Sequence, residues 1–233
     1  MTDKKALVLS SGGVDSTTCL GLAVKNFGAD NVVSVTMYYG QKHKKELECA
    51  RAVADYYQVK HIELDLSVIF QHSNCPLLSH STEDIPEGDY AEQVSRDKNG
   101  KVATYVPFRN GLFLSTAATL AASLFPDDDV TILIGAHADD AAGNAYADCS
   151  DEFLESMDDA IYIGTYKRVS IQAPFGQSNK ADVVKTGLAL GVPYNLTWSC
   201  YNGGDKPCGV CGTCIDRARA FSANNVIDPL LEG

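Results

Sequence analysis

Ala6-Leu7-Val8-Leu9-Ser10-Ser11-Gly12-Gly13-Val14-Asp15-Ser16-Thr17 sets a short apolar run against a glycine turn, and the turn opens directly onto a helical repeat. Leu20, Ala23, Val24 and Phe27 recur at the three- and four-residue spacing of one helix face, so the chain reads strand, turn, helix. Adjacent glycines at 12 and 13 let backbone N–H groups point into one concavity. The helix N-terminus behind them adds about half a positive charge. An oxyanion such as pyrophosphate fits that place, with the hydroxyls of Ser11, Ser16 and Thr17 as further donors. Asp15 either caps the helix or helps to hold a magnesium ion. The plainer alternative is an ordinary helix start. No Gly-Lys-Ser/Thr follows the turn and no Gly-x-Gly triplet occurs, which excludes a Walker loop and a dinucleotide fingerprint.

Outward from this unit, strands and helices alternate. Residues Asn31 to Tyr39 are rich in β-branched and aromatic side chains, and Leu47, Ala50, Ala54 and Tyr57 then share a helix face. His61 to Leu66 and Val130 to Gly135 read as further strands, and Asn110 to Leu124, Asp151 to Tyr162 and Asn179 to Leu190 as helices. A last short helix lies near Ile215 to Phe221. This alternation predicts an α/β fold, a parallel sheet flanked by helices, with ligands at the carboxyl ends of the strands. Between Ser67 and Thr104 no period survives, so that stretch is expected to be a long loop. No linker breaks the chain. Residues 1–233 are therefore expected to form one domain, with the cysteine-rich segment 200–214 as an appendage.

The 233 residues carry 19 basic against 30 acidic side chains, a net charge of -11, which argues against an electrostatic grip on nucleic-acid phosphates. With 45% hydrophobic residues, a chain of this size should bury roughly 70–75% of its unfolded surface. The longest uncharged stretch, Asn110 to Pro126, is too short and too rich in Ser, Thr and Ala to span a membrane. Ala6 to Leu9 falls below the apolar run of a signal peptide, so a cytoplasmic location is expected. In that compartment the cysteines are expected to be reduced. Cys19, Cys49, Cys75 and Cys149 are scattered, whereas Cys200, Cys208, Cys211 and Cys214 lie together. Four thiolates favour a closed, structural zinc site, ahead of an iron–sulfur cluster, with disulfides the weakest reading.

The run Ser11-Gly12-Gly13-Val14-Asp15-Ser16 resembles the pyrophosphatase loop of the PP-loop ATPases, which split ATP between the α- and β-phosphates. The resemblance implies an adenine nucleotide alpha hydrolase-like fold. It also implies ATP binding through Ser10, Ser11, Gly12, Gly13, Val14, Asp15, Ser16, Thr17, Thr18, Cys19 and Leu20, with pyrophosphate leaving through the turn. Tyr39-Gly40-Gln41-Lys42-His43, Tyr105 to Asn110, Gly191 to Tyr194 and Leu196 to Tyr201 are similar to the 7-cyano-7-deazaguanine synthase family. So is the cysteine spacing that runs into Arg217 and Phe221. That likeness implies an ATP-dependent ligase joining 7-carboxy-7-deazaguanine and ammonia into 7-cyano-7-deazaguanine (preQ0), a queuosine precursor. It further implies Mg2+ with the ATP, one structural Zn2+ on Cys200, Cys208, Cys211 and Cys214, and a homodimer with no nucleic-acid or membrane partner. The chain departs from the family at Ala145 to Ser150, where Gly-Tyr-Pro-Asp-Cys-Arg is common, and at Gly135 to Asp140.

Asp15, Ser16, Arg109 and Lys180 are the expected catalytic side chains, because adenylyl transfer rests mainly on electrostatic stabilisation at the α-phosphate. Lys180 begins a helix and reads either as that cation or as a solvated first-turn lysine; Arg109 precedes the helix cap Asn110 and should meet an anion. His43 either orients a phosphate or occupies the first turn of its helix. His137, Asp139, Asp140 and Asp148 are magnesium ligands or merely solvated loop acids. Cys19, Cys49, Cys149 and Trp198 are expected in the core, with one aromatic ring stacked on the deazaguanine. The competing readings are a PP-loop tRNA thiolase, which would need a basic face, and a nucleotide sensor without chemistry.

Overall fold

In β1 (Lys4–Leu9) the side chains alternate between two cores: Ala6 and Val8 enter one, Leu7 and Leu9 the other. Both faces of the strand are therefore covered, which is what an unbroken apolar run requires. The computed structural model describes residues 4–96, 102–141 and 146–231. Four more strands, β2 (Val32–Tyr38), β3 (Lys60–Asp65), β4 (Asp129–Leu133) and β5 (Val169–Gln172), join β1 in a parallel sheet of order β3-β2-β1-β4-β5. The register sets Leu9 beside Val35 and Val8 beside Leu133. Pairing spreads in both directions from β1, so the crevice beyond the ends of β1 and β4 is the switch point where such sheets bind ligands.

Helices α1 (Val14–Phe27), α2 (Lys45–Tyr57) and α8 (Lys180–Leu190) cover the first face through Cys19, Leu20, Ala23, Val53, Ala54 and Val183. Helices α5 (Arg109–Leu124) and α7 (Asp151–Gly164) cover the second, where Ala117 and Ala121 bring α5 close to the sheet around Leu114. Among the described residues no helix is long and apolar enough to cross a membrane.

The expected alternation is present, with element ends shifted by up to three residues and three substantive corrections. β5 was missed: at four residues on the sheet edge it is too short to show a period. The stretch 67–104 is not structureless where described, since it carries α3 (Ser67–Phe70) and α4 (Tyr90–Arg96). Residues 97–101 within it lie outside the described residues. Asn110 is not the cap of α5: the helix begins at Arg109 behind Phe108, which holds the left-handed φ of 52°. The remaining short helices are α6 (Ala138–Ala141) and α9 (Gly212–Ala223).

Candidate active site

β1 delivers its turn to the crevice, and Gly13 rather than Asp15 takes the N-cap of α1, so no N-cap side chain covers the helix start. First-turn N–H groups are thereby left for an anion. The Ser11 and Ser16 hydroxyls stand 3.1 Å apart, and the Ser11 N–H donates to Ser16 Oγ at 3.1 Å, which pins the two ends of the turn together. Gly12 has φ +80°, and a Cβ there would strike the Glu46 carbonyl and come within 2.8 Å of the Ala50 nitrogen. Only glycine lets α2 approach this closely.

Of the run from Ser10 to Leu20, the cavity at the switch point is lined by Ser10, Ser11, Gly13, Val14, Asp15 and Ser16. The others turn away. Thr18 Oγ1 donates to the Val14 carbonyl and meets the Tyr194 hydroxyl at 2.8 Å, Cys19 and Leu20 are fully buried core, and Thr17 is buried. The period of α1 explains this, since successive residues rotate from the mouth of the turn into the sheet.

Lys180 is no solvated first-turn lysine. It opens α8 behind a capping box of Asn179 and Asp182, and its Nζ donates to Asp15 Oδ2 at 2.9 Å with the side chain 12% exposed. His137, at the end of β4, brings Nε2 to 3.7 Å from Asp15 Oδ1. Burial pushes the Asp15 carboxyl up, but Lys180 and His137 outweigh it and hold the group below its usual range. Asp15 Oδ1 itself is buried without a hydrogen-bond partner.

The acids near His137 read as magnesium ligands or as solvated loop acids, and no magnesium cluster is assembled among the described residues. Asp139 accepts the Lys180 N–H at 2.8 Å and Asp148 accepts the Asn110 N–H at 2.9 Å, so each acid caps the start of a helix. The Asp140 side chain and residues 142–145 lie outside the described residues. His43 precedes α2, packs against Gly203 of the cysteine segment and is not among the residues that line the cavity. Cys149 is buried and accepts from Asn110 Nδ2 at 3.1 Å, as a core thiol would.

The same cavity is also lined by Tyr39, Glu46, Arg109, Tyr146, Trp198 and Tyr201. The Arg109 guanidinium lies 5.4 Å from the centre of the Tyr39 ring. Glu46 escaped the sequence reading. Burial pushes its carboxyl up to about 7, against the lowering influence of Arg109. Its sequence position just after the Tyr39 to His43 motif does not mark it, because an acid in the first turn of a helix is ordinary.

The four clustered cysteines place their sulfurs within 4.8 Å of one another, with Cys208 and Cys214 at 3.9 Å. Tetrahedral zinc with bonds of about 2.3 Å requires sulfurs about 3.8 Å apart, so the thiols fit the metal. Backbone N–H groups of Cys208 and Cys211 already point at Cys200 and Cys208 sulfurs, at 3.3 and 3.4 Å. A hydrogen bond from Cys214, with help from Thr213 and the backbone, holds the Cys211 thiol below its usual range. The knuckle is tied to the cavity: the Trp198 N–H donates to the Gly12 carbonyl at 2.9 Å, and the Tyr201 and Tyr90 hydroxyls meet at 2.9 Å.

A phosphate cradle at the switch point of a parallel sheet, beside an aromatic-walled cavity, defines a nucleotide-binding enzyme of the doubly wound α/β class. A family profile described as "Queuosine biosynthesis protein QueC" matches residues 5–225. Over 228 residues the chain is 42% identical to the 7-cyano-7-deazaguanine synthase of Archaeoglobus fulgidus, covering 97% of this chain and 90% of that one. The synthases of Pseudoalteromonas atlantica (41% over 227 residues, covering 97% and 98%) and Caldicellulosiruptor saccharolyticus (42% over 226 residues, covering 97% and 94%) are similar to the same extent. The chain belongs to the QueC family of queuosine biosynthesis proteins.

Proposed function

We propose that the protein is an ATP-dependent ligase that converts 7-carboxy-7-deazaguanine and ammonia to 7-cyano-7-deazaguanine, and that the whole chain acts as one domain. The observation that carries this reading is the near full-length match to synthases of that name, on a chain whose glycine turn and Asp15–Lys180 pair face one cavity. A substrate carboxylate oxygen attacks the α-phosphorus of ATP and pyrophosphate departs; ammonia then displaces AMP to give the amide. The amide oxygen attacks the α-phosphorus of a second ATP, again releasing pyrophosphate, and loss of AMP and the two amide protons leaves the nitrile. The first-turn amides of Val14, Asp15 and Ser16 and the Lys180 ammonium would hold the departing diphosphate, and Arg109 would meet negative charge elsewhere in the cavity. Asp15 positions Lys180, and its Oδ1, which makes no hydrogen bond, suits the magnesium that travels with ATP. Zinc on Cys200, Cys208, Cys211 and Cys214 would supply a structural crosslink, with no open coordination position for chemistry.

A tRNA thiolase is not favoured, because a chain of net charge -11 offers poor electrostatics for RNA. A cytoplasmic homodimer working on small molecules completes the proposal, with light scattering as the check on its oligomeric state. The deciding experiment is mass spectrometry of the product formed from ATP, ammonium and the deazaguanine acid. The nitrile is expected, with AMP rather than ADP as the nucleotide product; formation of ADP, or of no nitrile, overturns the reading.

A further inference from the structure

Four charged side chains face the cavity: Asp15, Lys180, Glu46 and Arg109. Asp15 and Lys180 close on each other at 2.9 Å. Glu46 and Arg109 do not, and among the described residues the Glu46 carboxylate makes no hydrogen bond or ion pair. A half-buried carboxylate in that position is costly unless something else supplies donors. Its place is rigid, because the Glu46 backbone sits against Gly12 of the phosphate cradle, at a contact that a side chain on residue 12 would destroy. The nearby Gln41 is held in place by its oxygen, which accepts the Tyr39 N–H at 3.0 Å. Tyr39, Phe113, Tyr146 and Tyr201 wall the same space with flat apolar faces, suited to a planar ring.

We propose that Glu46 is the specificity residue of this cavity, its two carboxylate oxygens accepting the paired N–H donors of a 2-amino-pyrimidinone edge. A carboxylate accepts only, and two parallel N–H donors on a planar ring match its two oxygens as a guanidinium fork does. The ring carbonyl on the adjacent edge is an acceptor and suits the Arg109 guanidinium, so the open pair reads both polarities of one heterocycle. This inference rests on the proposed function, which supplies a substrate with that edge. Ribose hydroxyls of ATP are the competing occupant.

Turnover of 7-carboxy-7-deazaguanine and of its analogue lacking the 2-amino group tests the assignment in wild type and in Glu46→Gln. Wild type should prefer the amino-bearing acid on the order of 100-fold in kcat/KM, and Glu46→Gln should bring the ratio to within about fivefold with the KM for ATP unchanged. The ratio is taken on one enzyme preparation, so partial misfolding does not move it. An unchanged ratio in the variant, or a rise in the ATP KM with the acid KM constant, overturns the proposal. If wild type itself makes no nitrile, it is the ligase reading that has failed.

Discussion

Asp15 and Glu46 are two carboxylates of one cavity pushed in opposite directions, and the difference lies in their partners. Lys180 and His137 overcome the burial of Asp15, whereas Arg109 fails to overcome that of Glu46. The Asp15 pKa is depressed on folding, so its contribution to stability is present above the unfolded value near 4 and fades as acid carries the pH down through the lower folded value. Glu46 behaves in the reverse sense. Its pKa rises from 4.5 to about 7, so its contribution is full below pH 4.5 and is lost as the pH climbs through 7. Glu46→Gln, uncharged throughout, should therefore melt higher than wild type at pH 8 and lose that advantage toward pH 5; a gap independent of pH would refute the burial argument. Lys180→Ala should lower kcat by about 10²- to 10³-fold, the usual penalty for losing one charge stabiliser in a transition state. Asp15→Ala should abolish pyrophosphate release with the circular dichroism spectrum intact, and undiminished turnover would refute its role in holding Lys180.

At the scale of elements, the glycine turn was readable because a turn writes itself in adjacent residues: an apolar run, two glycines, a helical repeat. Gly12→Ala tests how tightly the turn is held. Its φ of +80° already costs a side chain about 1–2 kcal/mol, and a backbone oxygen and nitrogen of α2 stand in the way. A melting curve should show a loss above that figure, together with loss of ATP binding. In α5, Leu114→Ala removes a fully buried side chain between helix and sheet and should cost about 2–5 kcal/mol, measured by urea unfolding, without altering metal content. β5 and α4 were not readable because neither carries enough residues to show a period, and α4 owes its place to distant contacts. Its Tyr90 ring packs on Gly212, and Asp89 just before it pairs with Arg219 at 3.1 Å.

For the whole molecule, the cysteine knuckle is the joint between the C-terminal segment and the cavity wall. Arg217 reinforces it from beneath, its guanidinium paired with Asp228 at 2.6 Å and donating to Thr197 Oγ1 at 2.9 Å in an almost wholly buried setting. Cys211→Ser should lose one zinc per chain by metal analysis and lower the melting temperature; iron and sulfide in the pure protein would refute the zinc assignment. From its order alone the chain determined the strand–helix alternation, the phosphate-type turn and the cluster of thiols, since each is a pattern among near neighbours. Only the tertiary structure decided that Asp15 meets Lys180 across 165 residues, that Asp139 and Asp148 cap helices, that His43 packs on Gly203, and that Glu46 and Arg109 line one cavity. Those pairings depend on how the sheet order brings the ends of β1, β2 and β4 together, and side chains so far apart in sequence carry no local trace of the partner that folding will give them.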